Sequence, residues 1–119
     1  MTATEHSLAI AKVAAQAAFD KQATEITLLD VSDHLVITDL FLICTAQNER
    51  QVGAIVDAIE EVLDAQGVEP IRREGQRGGR WVLLDYFEMV VHIQQAEERS
   101  LYDLERLWRD CPHIALELI

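Results

Sequence analysis

Basic residues are scarce in this chain: 10 lysines and arginines stand against 21 aspartates and glutamates, a net charge of −11. Non-specific binding to nucleic acid is driven by cationic side chains neutralising phosphates, so most of this surface should repel RNA. Two readings of the charge stay open. It keeps the protein soluble, or it steers the protein toward a basic protein partner. Cysteine is limited to Cys44 and Cys111, too little for a disulfide framework. The first six residues, Met1-Thr2-Ala3-Thr4-Glu5-His6, offer neither a basic segment nor a long apolar run. Two thiols without a secretory leader favour a reducing compartment, and a cytoplasmic protein is expected. No stretch approaches the ~18 apolar residues of a membrane span. The four histidines (His6, His34, His92, His113) are scattered, with no metal-ligand spacing. Internal repeats, linkers and low-complexity segments are absent as well.

Half of the 119 residues are apolar. That is enough for a real core in a single domain, 1–119, without a metal or disulfides as props. Thr4 and Ser7 are N-cap candidates for an alanine-rich helix from Leu8 to about Gln22. Glu25–Val31 reads as a first strand and Thr38–Thr45 as a second, whose unbroken apolar run implies burial on both faces. Cys44 lies in that run as a small hydrophobe. Between the two, Ser32-Asp33-His34 is turn chemistry. Asn48 caps a helix in which Val52, Ile55, Val56, Ile59, Val62 and Leu63 recur at spacings of three and four, and Gly67 ends it. Val68–Arg73 reads as a third strand at a sheet edge, since Pro70 cannot donate to a ladder. If the second and third strands run parallel, the helix between them forms a right-handed crossover.

The most informative stretch is 74–93, EGQRGGRWVLLDYFEMVVHI. A glycine-rich loop feeds two short apolar runs joined by a turn, Arg80–Asp85 and Met89–Gln94, the pattern of a hairpin. Strand alternation puts Trp81, Leu83 and Asp85 on one face and Val82, Leu84 and Tyr86 on the other. Both faces carry large apolar groups, so one needs a second helix layer or a partner. A last helix is expected over about Glu97–Trp108, with Tyr102 and Trp108 facing the core. The remainder, Arg109–Ile119, is an apolar tail that must dock on something. The expected fold is therefore α/β: one mixed sheet of about five strands covered by helices.

These residues resemble the ribosomal silencing factor family, the Iojap-like proteins of bacteria and organelles. The resemblance rests on Glu74-Gly75 with Gly79-Arg80-Trp81, then Leu83-Leu84-Asp85-Tyr86 and Val90-Val91-His92-Ile93. It is extended by Asp30-Val31-Ser32, Thr38-Asp39 with Phe41 and Ile43, Asn48-Glu49-Arg50-Gln51-Val52, and Leu101-Tyr102-Asp103-Leu104-Glu105 with Leu107-Trp108. It covers about residues 8–108 and leaves 109–119 as a tail; Gln94 departs from it, standing where members often carry an aromatic residue. The resemblance implies an architecture related to the nucleotidyltransferase fold.

Catalysis does not follow from that relationship. Nucleotidyl transfer needs two carboxylates placed together to hold Mg²⁺, and usually a Gly-Ser turn for the triphosphate. Asp30 and Asp33 are three apart, Asp39 and Asp85 stand alone, and no Gly-Ser pair exists. Gly75–Gly79 lacks the Gly-Lys-Ser/Thr of a phosphate loop. No enzyme, cofactor or metal is expected.

A binding module is the remaining reading. Interfaces concentrate their energy in a few aromatic and arginine anchors, and Arg80, Trp81, Leu83, Asp85 and Tyr86 form such a set; the other reading makes Trp81 and Tyr86 core, which fits Tyr86 better than Trp81 at its strand end beside a loop. Arg72, Arg73, Arg77 and Arg80 fall within nine positions but alternate with Glu69 and Glu74. They either touch RNA or pair with those glutamates, and little direct RNA contact is expected. The resemblance implies the partner: large-subunit ribosomal protein uL14, on the face where the small subunit joins, so that occupancy blocks joining and lowers translation when nutrients are short. A biogenesis factor that binds the free large subunit without repressing translation is the alternative, and a cryptic hydrolase or transferase a more distant one. A homodimer is expected of the free protein, because the tail and the alanine-rich helix need burial.

Overall fold

The computed structural model describes residues 3–119; Met1 and Thr2, part of the leader argument, lie outside the described residues. Helix α1 (Glu5–Asp20) starts where Thr4 Oγ1 accepts the Ser7 N–H at 3.1 Å. The buried positions of α1 are mostly alanines, Ala11, Ala14, Ala15, Ala17 and Ala18, and short side chains let its backbone lie close to its neighbours. Strand β1 (Thr24–Asp30) is followed by β2 (Leu40–Ala46), every residue of which is buried. Helix α2 (Glu49–Asp64) is capped by Asn48, whose side chain accepts the Gln51 N–H at 2.9 Å. It turns Val52, Ile55, Val56, Ile59 and Leu63 inward. Each such burial stabilises by about 1.5–3 kcal/mol. Past its end Gly67 sits at φ 75°, and the Val68 N–H returns to the Leu63 carbonyl at 2.9 Å, a left-handed C-terminal stop.

Strands β3 (Arg72–Glu74), β4 (Trp81–Asp85) and β5 (Met89–Gln95), helices α3 (Ala96–Leu101) and α4 (Leu104–Leu107), and a short β6 (His113–Ile114) complete the chain. The sheet order is β3-β4-β5-β2-β1-β6. Strands β2 and β5 pair in parallel, from Leu40 opposite Met89 to Ala46 opposite Gln95, and all other neighbours are antiparallel. The expected mixed α/β sheet is present, with β6 added by the tail.

Helices α1 and α2 cover one sheet face, where Leu28, Leu40, Leu42, Val82, Leu84, Val91 and Ile93 join the main core. Helices α3 and α4 lie on the other. There a smaller cluster gathers Leu29, Val31, Phe41, Ile43, Val90, Leu104 and Cys111.

Three expectations need correction. The third strand is shorter and later than Val68–Arg73, because the backbone joins the ladder only at Ile71, whose N–H donates to the Asp85 carbonyl at 2.7 Å. The parallel neighbour of β2 is β5, not β3; the chain leaving α2 passes both hairpin strands to reach the sheet edge. The single last helix is two: α3 ends at its C-cap Tyr102, and Asp103 caps α4, accepting the Arg106 N–H at 3.2 Å. The tail does dock, on its own chain. His113–Ile114 pairs with β1, Leu116 and Leu118 pack on the main core, and Ile119 exchanges backbone bonds of 2.8 and 3.2 Å with the Gln16 amide. The alanines of α1 and the inward side of the tail are thus covered within the monomer, although Ile119 stays exposed, and this removes most of the reason expected for a dimer.

Candidate functional site

The two helices on the second sheet face do not reach its β4 end. Arg99 of α3, 7% exposed, explains where they stop. Its guanidinium bridges Glu105 of α4 at 2.8 Å and donates to Thr45 Oγ1 at 3.0 Å and Thr27 Oγ1 at 3.2 Å, pinning both helices over β2 and β1. Trp108, just past α4, meets Phe41 edge-on with ring centroids 5.2 Å apart. Trp81 and Leu83 on β4 are left half-buried at the margin of the cluster.

Trp81 is held by two neighbours. Its indole N–H donates to His92 Nδ1 at 3.1 Å, and the Tyr102 ring lies 5.1 Å away at 38°. An acceptor at Nδ1 requires neutral imidazole with its proton on Nε2. Burial, reinforced by the Arg99 charge, pushes the His92 pKa down to about 4, so the ring is neutral at physiological pH. Nε2 has no hydrogen-bond partner; the ring lies edge-on to Phe41 at 5.1 Å. At the start of β4, Gly75 (φ 83°) passes so close that a Cβ there would stand 1.9 Å from the Trp81 carbonyl oxygen. Only glycine fits there.

From Trp81 an apolar surface runs over half-exposed Tyr102 to Leu101 and Leu107, which are 70% and 77% exposed. They line an open cleft of about 600 Å³ edged by Arg106, Arg109, Asp103 and Asp110. Large apolar groups gathered at one place on a surface mark a binding face, and aromatic rings with arginines are the usual anchors.

The five residues singled out in the sequence divide between the faces. Trp81, Leu83 and Asp85 share this one, as the alternation requires. Arg80 stands at its lip, exposed, 3.4 Å from Glu98. Asp85 has a structural role: it accepts the Phe87 N–H at 2.8 Å and pairs with Arg72 at 3.3 Å. Tyr86 is not part of the surface. It is 5% exposed in the helix-side core, and burial, with Glu60 nearby, raises its hydroxyl pKa to about 12. Tyr102 corrects the opposite way, since the helix break turns it out of the core. Leu101, Leu107, Arg106 and Arg109 were missed. Asp103, a capping residue inside an expected helix, was the signal that could have found them. Of the arginine cluster, Arg72 and Arg73 pair with Asp85 and Glu60.

Among the described residues no group of three or more His, Cys, Asp or Glu side chains is placed to hold a metal, and no helix is long and apolar enough to cross a membrane. The most organised surface of this α/β domain is aromatic and apolar, and its Trp81 is held by a neutral buried histidine. The sequence profile of a family described as "Ribosomal silencing factor during starvation" matches residues 4–119. The chain belongs to the ribosomal silencing factor family, whose members are regulatory proteins and not enzymes. A ribosomal silencing factor RsfS of Halalkalibacterium halodurans is 41% identical over 106 residues, covering 89% of this chain and 91% of its own. Its counterpart in Bacillus subtilis is 42% identical over 103 residues, 87% of each chain. A crystal structure of protein CV0518 from Chromobacterium violaceum superposes with a TM-score of 0.83 at 32% identity, covering 86% of this chain and 85% of the other.

Proposed function

We propose that this protein is a cytoplasmic ribosomal silencing factor that docks its Trp81–Tyr102 face on the large ribosomal subunit, at protein uL14, and keeps the small subunit from joining. The observation that carries this reading is the uncovered aromatic surface beyond the reach of α3 and α4, in a chain whose relatives bear the silencing-factor name. The mechanism is steric: one surface, once occupied, excludes another ligand. An acidic protein is suited to a basic ribosomal target because complementary charge speeds encounter. The same apolar face supplies what the tail and α1 no longer do, a reason for the free protein to pair as a symmetric homodimer, with docking and pairing in competition.

The test is binding to purified large subunits. Trp81→Ala is expected to weaken it by about 2 kcal/mol or more, as for an interface hot spot. Leu107→Ser should weaken it by about 1 kcal/mol while changing stability by less than about 0.5 kcal/mol, since that side chain lies in solvent. Full binding by both variants would remove this face from the interface. Light scattering at tens of micromolar tests the pairing, and a monomer mass would refute it.

A further inference from the structure

A second exposed apolar surface lies at the far end of β4 from Trp81. In the loop between β1 and β2, Val36 is 100% exposed and Ile37 more than half. The turn between β4 and β5 carries Phe87, also more than half exposed. Hydrogen bonds tie the two loops together: Thr38 Oγ1 donates to the Phe87 carbonyl at 3.2 Å, and the Asp39 and Leu40 N–H groups donate to the Glu88 carbonyl at 2.8 and 3.1 Å. Ile71, also exposed, joins the strand that leads into this turn, its N–H donating to the Asp85 carbonyl at 2.7 Å.

Phe87 is held there against its backbone preference. Its φ is 76°, and the Glu88 N–H closes on the Tyr86 carbonyl at 3.0 Å, a three-residue turn of the strained, positive-φ kind. Glycine would make this turn at no steric cost. Asp85 instead braces an aromatic residue in it and leaves the ring largely in solvent. Strain of this sort persists only where the surroundings over-determine it, and it gathers at functional positions.

Charge selects the occupant. No lysine or arginine occurs between Lys21 and Arg50, or between Arg80 and Arg99. Both loops come from those stretches and carry Asp39 and Glu88, whose carboxylates accept the Ser7 hydroxyl at 2.9 and 2.6 Å, next to Asp85, which accepts the Phe87 N–H at 2.8 Å. Arg72, the arginine that reaches this end, is paired with Asp85. Phosphates of RNA and anionic lipid headgroups would meet a net negative surface, with Arg72 already paired. We propose that the Val36–Ile37–Phe87 surface is a second docking site, whose occupant is a basic polypeptide segment with apolar side chains at its centre.

The test takes its probe, the purified large subunit, from the function proposed above. A benzoylphenylalanine photocrosslinker replaces Val36 in one sample and Leu101 in another; both side chains are exposed, so the fold tolerates the exchange. The expected result is a Val36 crosslink to a lysine- and arginine-rich stretch of a ribosomal protein. With the Leu101 probe crosslinking, silence at Val36, or a Val36 crosslink to RNA or to a second copy of this chain, overturns the second site alone. Silence of both probes overturns the large-subunit reading and this site with it. Phe87→Gly provides an independent check, expected to weaken large-subunit binding about tenfold, as loss of an interface side chain does, without lowering the melting temperature. A lower melting temperature with unchanged binding would make the ring a structural part of the turn and overturn the proposal.

Discussion

At the scale of the residue, His92 holds Trp81 in place. Its buried ring accepts the Trp81 N–H, and protonation would turn that acceptor into a donor facing a donor. The folded pKa of about 4 lies below the ordinary value of 6.5, so between those limits the unfolded chain binds the proton more readily. Stability is fully present above pH 6.5 and is lost as pH falls toward 4, by up to about 3 kcal/mol. Denaturant titrations across this range should show that loss, and His92→Gln, which keeps an acceptor but does not titrate, should flatten it. An unchanged pH profile in the variant would place the titrating group elsewhere. The alternation of β4 made Trp81 and Leu83 legible from sequence. The hydrogen bond to His92 was not, because it joins side chains on two strands whose register no local pattern reveals.

At the scale of the element, segments whose local signals agree were readable: α2 from its stripe and its Asn48 cap, β2 from its continuous apolar run, the hairpin from its paired runs. Reading failed where long-range contacts decide. Val68 to Pro70 precede the strand and have no ladder to join. The helix expected over 97–108 breaks at Tyr102-Asp103, because Arg99 and Glu105 fasten its two halves separately to the sheet. That clamp can be tested. Arg99→Ala removes a buried cation from a partly exposed carboxylate and two threonine hydroxyls, and lost hydrogen bonds to a charged group cost about 1–3 kcal/mol. The expected consequence is a lower denaturation midpoint together with lost near-ultraviolet dichroism from Trp108, as α3 and α4 come away from Phe41. A variant with the wild-type midpoint would show that the helices hold by apolar packing alone.

At the scale of the molecule, acidic charge and an uncovered aromatic face combine in a single small domain, and the proposed docking on a basic ribosomal surface rests on the two together. Screening should slow association as salt rises, since steering acts over distances comparable to the Debye length. The face itself was half legible: its β4 side follows from alternation, and its helical side depends on where the last helix breaks. The central claim is exclusion by occupancy, and the most direct measurement is a sedimentation profile of ribosomes with two orders of addition. Protein given to large subunits before small subunits arrive should lower the yield of joined ribosomes in proportion to its occupancy, and should do far less to ribosomes already joined, whose contact surface is hidden. Equal effects in both orders, or none in either, would contradict the account.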